Sequence, residues 1–193
     1  MGAIGGCLLI LVVAAFAAAI WAISRYNNLV TLKNQVANAW KQIDVQLKRR
    51  HDLIPNLIAS VKGEMQFEQD TLEKVIQARN SAVAARGVAD TAEKENQLTQ
   101  TLSRLFALAE NYPTLKANES VKSLMEELTS TENKIGFARQ FYNDIATRFN
   151  TVQEVFPDQF IARTFNFQHV ELFAITEPVE REVPAVDLSL RPK

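Results

Sequence analysis

The first charged residue of the chain is Arg25, and this late start constrains the fold more than any other feature. All 21 Lys and Arg residues and all 22 Asp and Glu residues lie from Arg25 onward. The stretch from Ala3 to Ile23 contains only apolar residues and glycine. As an α-helix it would extend about 32 Å, which matches the hydrocarbon thickness of a bilayer. We therefore expect a single-span membrane anchor over residues 1–25.

A cleaved signal peptide is the alternative interpretation of these residues. Such a peptide carries a basic segment before its apolar core, whereas only Met1 and Gly2 precede the core here. Small residues at Ala17 and Ala19 resemble a cleavage site, but the apolar run continues to Ile23. These features favour a retained anchor.

The residues around the end of the span indicate its orientation. Trp21 and Tyr26 occupy the positions of an interfacial aromatic belt. Arg25, Lys33 and Lys41 follow the span, and no basic side chain precedes it. Because positively charged flanks stay inside the cell, we expect the bulk of the chain on the cytoplasmic side.

Composition argues against several classes of function. A net charge of −1 and a pI near 6.2 provide no polycationic surface for nucleic acid. Cys7, His51 and His169 lack the spacing of metal ligands, and the glycines form no phosphate-binding loop. No catalytic motif is present. We therefore expect no enzymatic activity, cofactor, bound metal or nucleic-acid partner.

An apolar helical stripe follows the anchor. Its members are Leu29, Leu32, Val36, Trp40, Ile43, Leu47, Ile54, Leu57 and Val61, at steps of three, four or seven. This spacing predicts a helix to about Lys62, ended by Gly63. No Gly or Pro lies between Cys7 and Ile54, so nothing in the chain forces a break between anchor and stripe. Pro55 predicts a kink or short break within the helix.

Two shorter amphipathic segments come next. Residues 68–86 predict a helix ended by Gly87 as a left-handed cap, and residues 92–111 predict another, capped by Asp90 or Thr91. The short connection between them is compatible with one interrupted helix or with a tight hairpin. The sequence does not decide between the two.

The longest periodic pattern covers residues 121–156. Its members are Val121, Leu124, Leu128, Thr131, Ile135, Ala138, Tyr142, Ile145, Phe149, Val152 and Phe156. Five heptads in this register must be buried against other helices, which predicts an elongated antiparallel bundle or coiled-coil assembly. Pro157 ends the pattern. Thr131, its only polar member, is a candidate for fixing the register of the bundle.

The chain then changes character. Phe160, Phe165, Phe167 and Phe173 lie among polar residues and predict an extended strap whose rings complete the core at one end of the bundle. An exposed partner site is the alternative. Residues 174–193 contain prolines and too little apolar surface for a core, which predicts a mobile tail or a partner-binding extension.

Two polar clusters are candidates for contacts with a partner or a second subunit. They comprise Lys48, Arg49 and Arg50 on the first helix, and Glu132, Asn133, Arg139 and Asn143 beside the fourth. Guanidinium groups are suited to gripping carboxylates of a partner helix or neighbouring subunit. The polar groups of the second cluster would be destabilising if they were buried without partners. For both clusters, an ordinary solvated surface is the alternative.

Several motifs resemble those of the LemA family. YNNLVTLKNQVANAWKQIDVQLKRRHDLIPNLIASVKG, residues 26–63, is similar to the opening of that family. LFALAENYPTLKANE at 105–119 and LTSTENKIGFARQFYNDIATRFN at 128–150 resemble two later motifs in the expected order. FPDQFIARTFNF at 156–167 resembles its aromatic closing segment. The resemblance covers residues 1 to about 173.

This resemblance implies a bacterial, single-span protein of the inner membrane with a long helical bundle. No catalytic chemistry is established for the family. One relative serves in magnetosome membrane formation, and association with membrane proteases has been suggested. Together with the patterns above, the resemblance predicts an all-α protein. It would have an anchor at 1–25, an elongated antiparallel bundle at 26–173 and an extended tail at 174–193.

Three functional hypotheses follow. The favoured one is a non-enzymatic, membrane-anchored scaffold that self-associates and organises or remodels the lipid bilayer. The second is an adaptor that binds another membrane protein, such as a membrane protease, through the basic cluster or the tail. The third is a hydrolase with an unrecognised site. Long uninterrupted heptads favour the scaffold, the proline-containing tail favours the adaptor, and no motif favours the hydrolase.

Overall fold

The computed structural model of the chain describes residues 2–65 and 67–174, and their secondary structure is helical. Its helices are α1 (Gly2–Val61), α2 (Gln69–Ala84), α3 (Val88–Ala109), α4 (Pro113–Ala117), α5 (Glu119–Glu154) and α6 (Asp158–Thr164). The prediction of an all-α fold with a long apolar N-terminal helix is confirmed for this part of the chain. The predicted tail, apart from Ala174, lies outside the described residues.

Helix α1 joins the apolar segment to the bundle without interruption. It has 60 residues and is therefore about 90 Å long. Within the described part, it is the helix long and apolar enough to cross a membrane, and none of its most apolar window is buried in the protein. The break considered at Pro55 does not occur. The neighbouring Ile54 and Leu57 are each 1% exposed, and their packing holds the chain helical despite the missing donor.

Helices α1 and α5 pack against each other in opposite directions along most of the bundle. Near the middle, the rings of Trp40 and Tyr142 lie 5.4 Å apart. Farther from the apolar segment, Nη2 of Arg49 lies 2.5 Å from Oε1 of Glu127. Rising numbers on α1 thus meet falling numbers on α5, which is the antiparallel arrangement that the periodicity predicts.

Helices α2 and α3 form a hairpin rather than one interrupted helix. Gly87, with φ of 79°, reverses the chain as the N-cap of α3, whereas Ala85 is the C-cap of α2. The predicted roles of Gly87 as a C-cap and of Asp90 or Thr91 as an N-cap are therefore wrong. Asp90 lies in the first turn of α3, where its carboxylate accepts the backbone N–H of Arg86 at 2.8 Å.

The bundle contains two apolar cores. The core far from the apolar segment lies among α1, α2, α3 and the first part of α5, with members such as Ile54, Val75, Leu98, Leu105 and Leu128. The core near the apolar segment lies between α1 and the part of α5 from Ile135 onward, includes Ala92 of α3, and is covered by α6 and the chain after it; further members are Leu29, Ile43, Phe149 and Phe173. A four-helix region thus continues into a two-helix region that reaches the apolar segment.

Two asparagines on α5 hold residues 165–174, the strap, in place. The side-chain amide of Asn143 donates to the carbonyl of Phe173 at 3.1 Å and accepts its N–H at 2.8 Å. Asn150 bonds Val170 in the same way, at 2.9 and 3.0 Å. The seven residues of helix from Asn143 to Asn150 rise about 10.5 Å, and the three extended residues from Val170 to Phe173 span about 10 Å. The two asparagines are therefore spaced like the two strap residues that they bind. Each amide thereby mimics one rung of a β-ladder.

The aromatic residues near the strap divide into buried and exposed groups. Phe173 is 2% exposed and Phe167 is half-buried, so these two rings complete the core as predicted. Phe160 and Phe165 are 58% and 56% exposed, and the prediction is wrong for them. Phe156, the last member of the long seam, is 75% exposed because α5 ends before it. Phe160 lies on α6, which turns its small and acidic residues inward.

We expect Asn143→Ala and Asn150→Ala to loosen the strap, because each leaves a backbone N–H and carbonyl without partners. Each change should lower the free energy of unfolding by about 1–3 kcal/mol. It should also speed amide exchange at Val170 and Phe173, measured by hydrogen exchange of the detergent-solubilised chain. Asn133→Ala, at an exposed position on the same helix, is the matched control. Equal exchange rates in all three variants would contradict the role of the two amides.

Candidate functional site

A buried arginine lies where the helices of the bundle converge. Arg50 of α1 is 1% exposed, and its guanidinium is paired with the carboxylates of Glu95 on α3 and Glu132 on α5. Its Nη1 also donates to Oγ1 of Thr99 at 2.9 Å. Thr99 in turn donates to Glu132 at 3.2 Å. One side chain therefore links three helices.

The next residue brings in the fourth helix. Nε2 of His51 lies 2.7 Å from Oε1 of Glu95, and the backbone carbonyl of His51 accepts Nε–H of Arg79, on α2, at 3.2 Å. Six residues form this cluster, the Arg50 junction: Arg50, His51, Arg79, Glu95, Thr99 and Glu132. Together they connect α1, α2, α3 and α5 at one level of the bundle.

Burial sets the charge states in the Arg50 junction. It lowers the pKa of His51 to about 4, with Arg50 and Arg79 acting in the same direction and Asp52 opposing them. His51 is therefore neutral at pH 7, and its Nε2–H donates to Glu95. Burial also lowers the pKa of Arg50, which Glu132 opposes, yet a guanidinium stays protonated in proteins. The guanidinium of Arg50 therefore faces the carboxylates of both Glu95 and Glu132.

This arrangement fixes the positions of the helices relative to one another. The carboxylate of Glu95 is 2% exposed and is shared by Arg50 and His51, so it has no access to solvent. A buried ion pair adds little stability relative to apolar packing, but it strongly disfavours any register that separates the charges. Among the residues that the structure describes, no three His, Cys, Asp or Glu side chains are grouped to hold a metal ion.

The structure places the predicted basic cluster in three different environments. Arg50 is at the centre of the junction and meets Glu132 there. Arg49 is half-exposed and pairs with Glu127 of α5, whereas Lys48 is exposed. The carboxylates that these two arginines bind thus belong to helices of the same chain.

The cluster predicted beside α5 is also divided. Glu132 is in the junction and Asn133 is exposed. Asn143 holds the strap, and the guanidinium of Arg139 lies 4.5 Å from the ring centre of Phe173. The structure therefore brings Arg50 together with Glu132. Arg139 and Asn143 are linked indirectly, because both contact Phe173 of the strap.

Thr131 and Glu95 differ from what the seam pattern indicates. Thr131 is fully buried, but its hydroxyl donates to the carbonyl of Glu127 in its own helix, at 2.8 Å, rather than across the seam. Glu95 is a functional residue that the sequence reasoning missed. It lies between Ala92 and Leu98 on the buried stripe of α3, and a carboxylate at such a position is the signal that could have identified it.

One flank of the α1–α5 pair is open. Val45, Phe137 and Phe141 are 63%, 74% and 46% exposed, and they line a groove of about 540 Å³. Phe141 and Asn143 are two residues apart, which is about 200° around a helix. The open flank therefore lies opposite the strap. A second groove, of about 610 Å³, lies among α3, α4 and α5 and is lined by residues such as Phe106 and Met125.

Comparison with known proteins identifies the family. The LemA family model matches residues 39–188. This chain belongs to the LemA family. The match includes residues 174–188, which lie beyond the motifs that resemble the family. All six residues of the Arg50 junction lie within the matched range.

Curated relatives agree with the family assignment. The chain is 30% identical over 161 residues to Protein LemA of Metamycoplasma hominis, covering 82% of this chain and 73% of the relative. It is 24% identical over 190 residues to Magnetosome protein MamQ 2 of Paramagnetospirillum magneticum, covering 85% and 69%. It is 23% identical over 175 residues to Magnetosome protein MamQ of Magnetospirillum gryphiswaldense, covering 77% and 64%.

We expect Arg50→Met to destabilise the protein by about 3–5 kcal/mol, because it leaves Glu95 buried without a cation. The double variant Arg50→Met, Glu95→Leu should recover part of this loss, since it removes both charges. Unfolding of the detergent-solubilised chain in denaturant, followed by helical circular dichroism, measures the change. Arg49→Met is the matched control and should lose at most about 1 kcal/mol at its surface pair. Equal losses in the two single variants would refute the junction.

His51 should make stability depend on pH. Its pKa is about 4 in the folded chain and 6.5 in the unfolded chain, so the unfolded chain binds more protons between these values. The contribution of His51 is therefore complete above pH 6.5 and is lost as the pH falls towards 4. His51→Gln, measured by the same unfolding assay, should be less sensitive to acid in this range. The unmodified chain measured in parallel is the control, and equal acid sensitivity of the two proteins would contradict the assignment.

Proposed function

We propose that this LemA-family protein is a non-enzymatic, membrane-anchored helical scaffold that self-associates and organises or remodels the adjacent bilayer. The observation that carries the proposal is the continuity of α1, which runs from the apolar segment into both cores of the bundle. Contacts between bundles would therefore act directly on the tilt of the spans. A shared tilt of many spans bends the surrounding membrane.

The open flank supports self-association with a second copy of the chain. Copies anchored in one membrane stand parallel and at the same height. Val45, Phe137 and Phe141 of one copy would then face the same residues of the next, as in a two-fold symmetric interface. Burial of these side chains removes apolar surface from water, which favours the contact. Lys41 and Lys134 lie at the rim of the groove, where they can remain hydrated.

The relatives support the membrane setting. Two are named as magnetosome proteins, and together with the apolar part of α1 they are compatible with membrane anchoring. Within the proposal, the anchor crosses the bacterial inner membrane and the bundle lies on the cytoplasmic side, as the basic residues after the span indicate. The adaptor hypothesis has less support, because Arg49 and Arg50 are paired within the chain.

We expect Phe137→Ser with Phe141→Ser to weaken self-association while the fold is retained, because both rings are exposed. Mass photometry of the full chain in detergent and in nanodiscs should give oligomers for the unmodified protein and smaller species for the variant. Phe67→Ser, at an 88% exposed ring at the far end of the bundle, is the matched control. A monomeric unmodified protein at high concentration would refute the proposal.

A linker insertion tests whether α1 transmits the tilt of the bundle to the span. A flexible Gly-Ser segment between Ile23 and Ser24 leaves the span and the bundle intact but uncouples their tilt. In vesicles imaged by cryo-electron microscopy, the inserted protein should still oligomerise but should no longer deform the membrane. Equal deformation with and without the linker would exclude transmission through α1.

A further inference from the structure

The end of the bundle packs against α1 at the point where its first charged residue follows the apolar segment. Oδ1 of Asp158, at the beginning of α6, lies 3.4 Å from Nε of Arg25, the first charged residue. The ring of Phe165, just after α6, lies 4.7 Å from that of Tyr26. Both ends of α6 are therefore attached to one turn of α1, directly beyond the apolar segment.

Exposed phenylalanine rings surround this attachment. Phe156, Phe160 and Phe165 are 75%, 58% and 56% exposed, and they are called the aromatic tip below. The rings of Phe156 and Phe160 also contact each other, with their centres 5.8 Å apart. Neither core uses these three side chains. They form an apolar surface next to the anchor that the fold itself leaves uncovered.

The height of the aromatic tip along α1 indicates what covers it. Ile23 ends the apolar segment, and Tyr26, which contacts the tip, is only about 4.5 Å farther along the helix at 1.5 Å per residue. If the segment spans a bilayer, the tip is then at the boundary between headgroups and acyl chains. Trp and Tyr are enriched at that depth, and interfacial helices bury apolar faces that carry residues such as Phe there.

We propose that the aromatic tip inserts into the membrane interface and forms a second membrane contact beside the span. This inference rests on the anchoring that the proposed function assumes. One helix through the bilayer leaves the bundle free to lean and rotate, whereas a second contact on one side restrains both motions. The tip would thereby hold α1, and the bundle built on it, at a defined tilt. The ion pair between Arg25 and Asp158 would link the tip to the span.

Depth-dependent fluorescence quenching tests this proposal on the full chain. In a Cys7→Ala background, single variants Phe156→Cys and Phe160→Cys are labelled with an environment-sensitive fluorophore. The proteins are reconstituted into vesicles of phosphatidylcholine and phosphatidylglycerol that contain lipids with nitroxides at headgroup level or deep in the acyl chains. Two control positions are Phe67, an exposed ring at the opposite end of the bundle, and Val12, within the apolar segment.

The proposal requires that labels at 156 and 160 be quenched mainly by headgroup-level nitroxides, that the label at 67 be unaffected, and that the label at 12 be quenched by deep nitroxides. Labels at 156 and 160 that behave like the label at 67, while position 12 is quenched, would overturn the tip contact but retain the anchor. Tip labels shielded from aqueous iodide without lipid quenching would show a protein cover and would also overturn it. An unquenched label at 12 would refute the anchoring itself and with it the proposed function.

Discussion

The buried guanidinium of Arg50 limits how the helices of the bundle can be arranged. A charge removed from water must meet opposite charges and hydrogen-bond acceptors, or the fold loses several kcal/mol. Here the partners come from α3 and α5, and His51 beside Arg50 adds a contact that reaches α2. A shift of one turn along any of these helices, about 5.4 Å, would separate the pairs. The junction therefore fixes the relative heights of all four helices.

The junction also divides the protein into two parts with different surfaces. Beyond it, α2 and α3 close the α1–α5 pair into a four-helix arrangement. Towards the apolar segment, the strap closes one flank through Asn143 and Asn150, while the opposite flank remains open. The open flank and the aromatic tip both belong to this part of the protein. The surfaces proposed for self-association and membrane contact thus lie next to the segment that is proposed to cross the membrane.

One member of the Arg50 junction could be recognised in the periodic pattern of the sequence. The apolar stripe of α1 steps by seven from Leu47 to Ile54, and Arg50 occupies the position three residues after the first and four before the second. A charged residue at a stripe position has to be buried with the stripe, so the gap is a sign of a buried charge. Glu95 occupies a similar position on α3. Their pairing could not be predicted, because nothing in the local sequence relates two residues 45 positions apart.

The uncharged span, the helical periods, the long seam of α5 and the family motifs could be recognised in the sequence, because they depend on the solvent and on neighbours within one or two turns. The hairpin of α2 and α3 and the carboxylates that meet Arg50 became apparent only in the folded chain. The same is true of the burial of Phe173 and the exposure of Phe156 and Phe160. Each of these outcomes depends on which distant helix covers a given face, and that is settled by packing and charge pairing across the whole bundle.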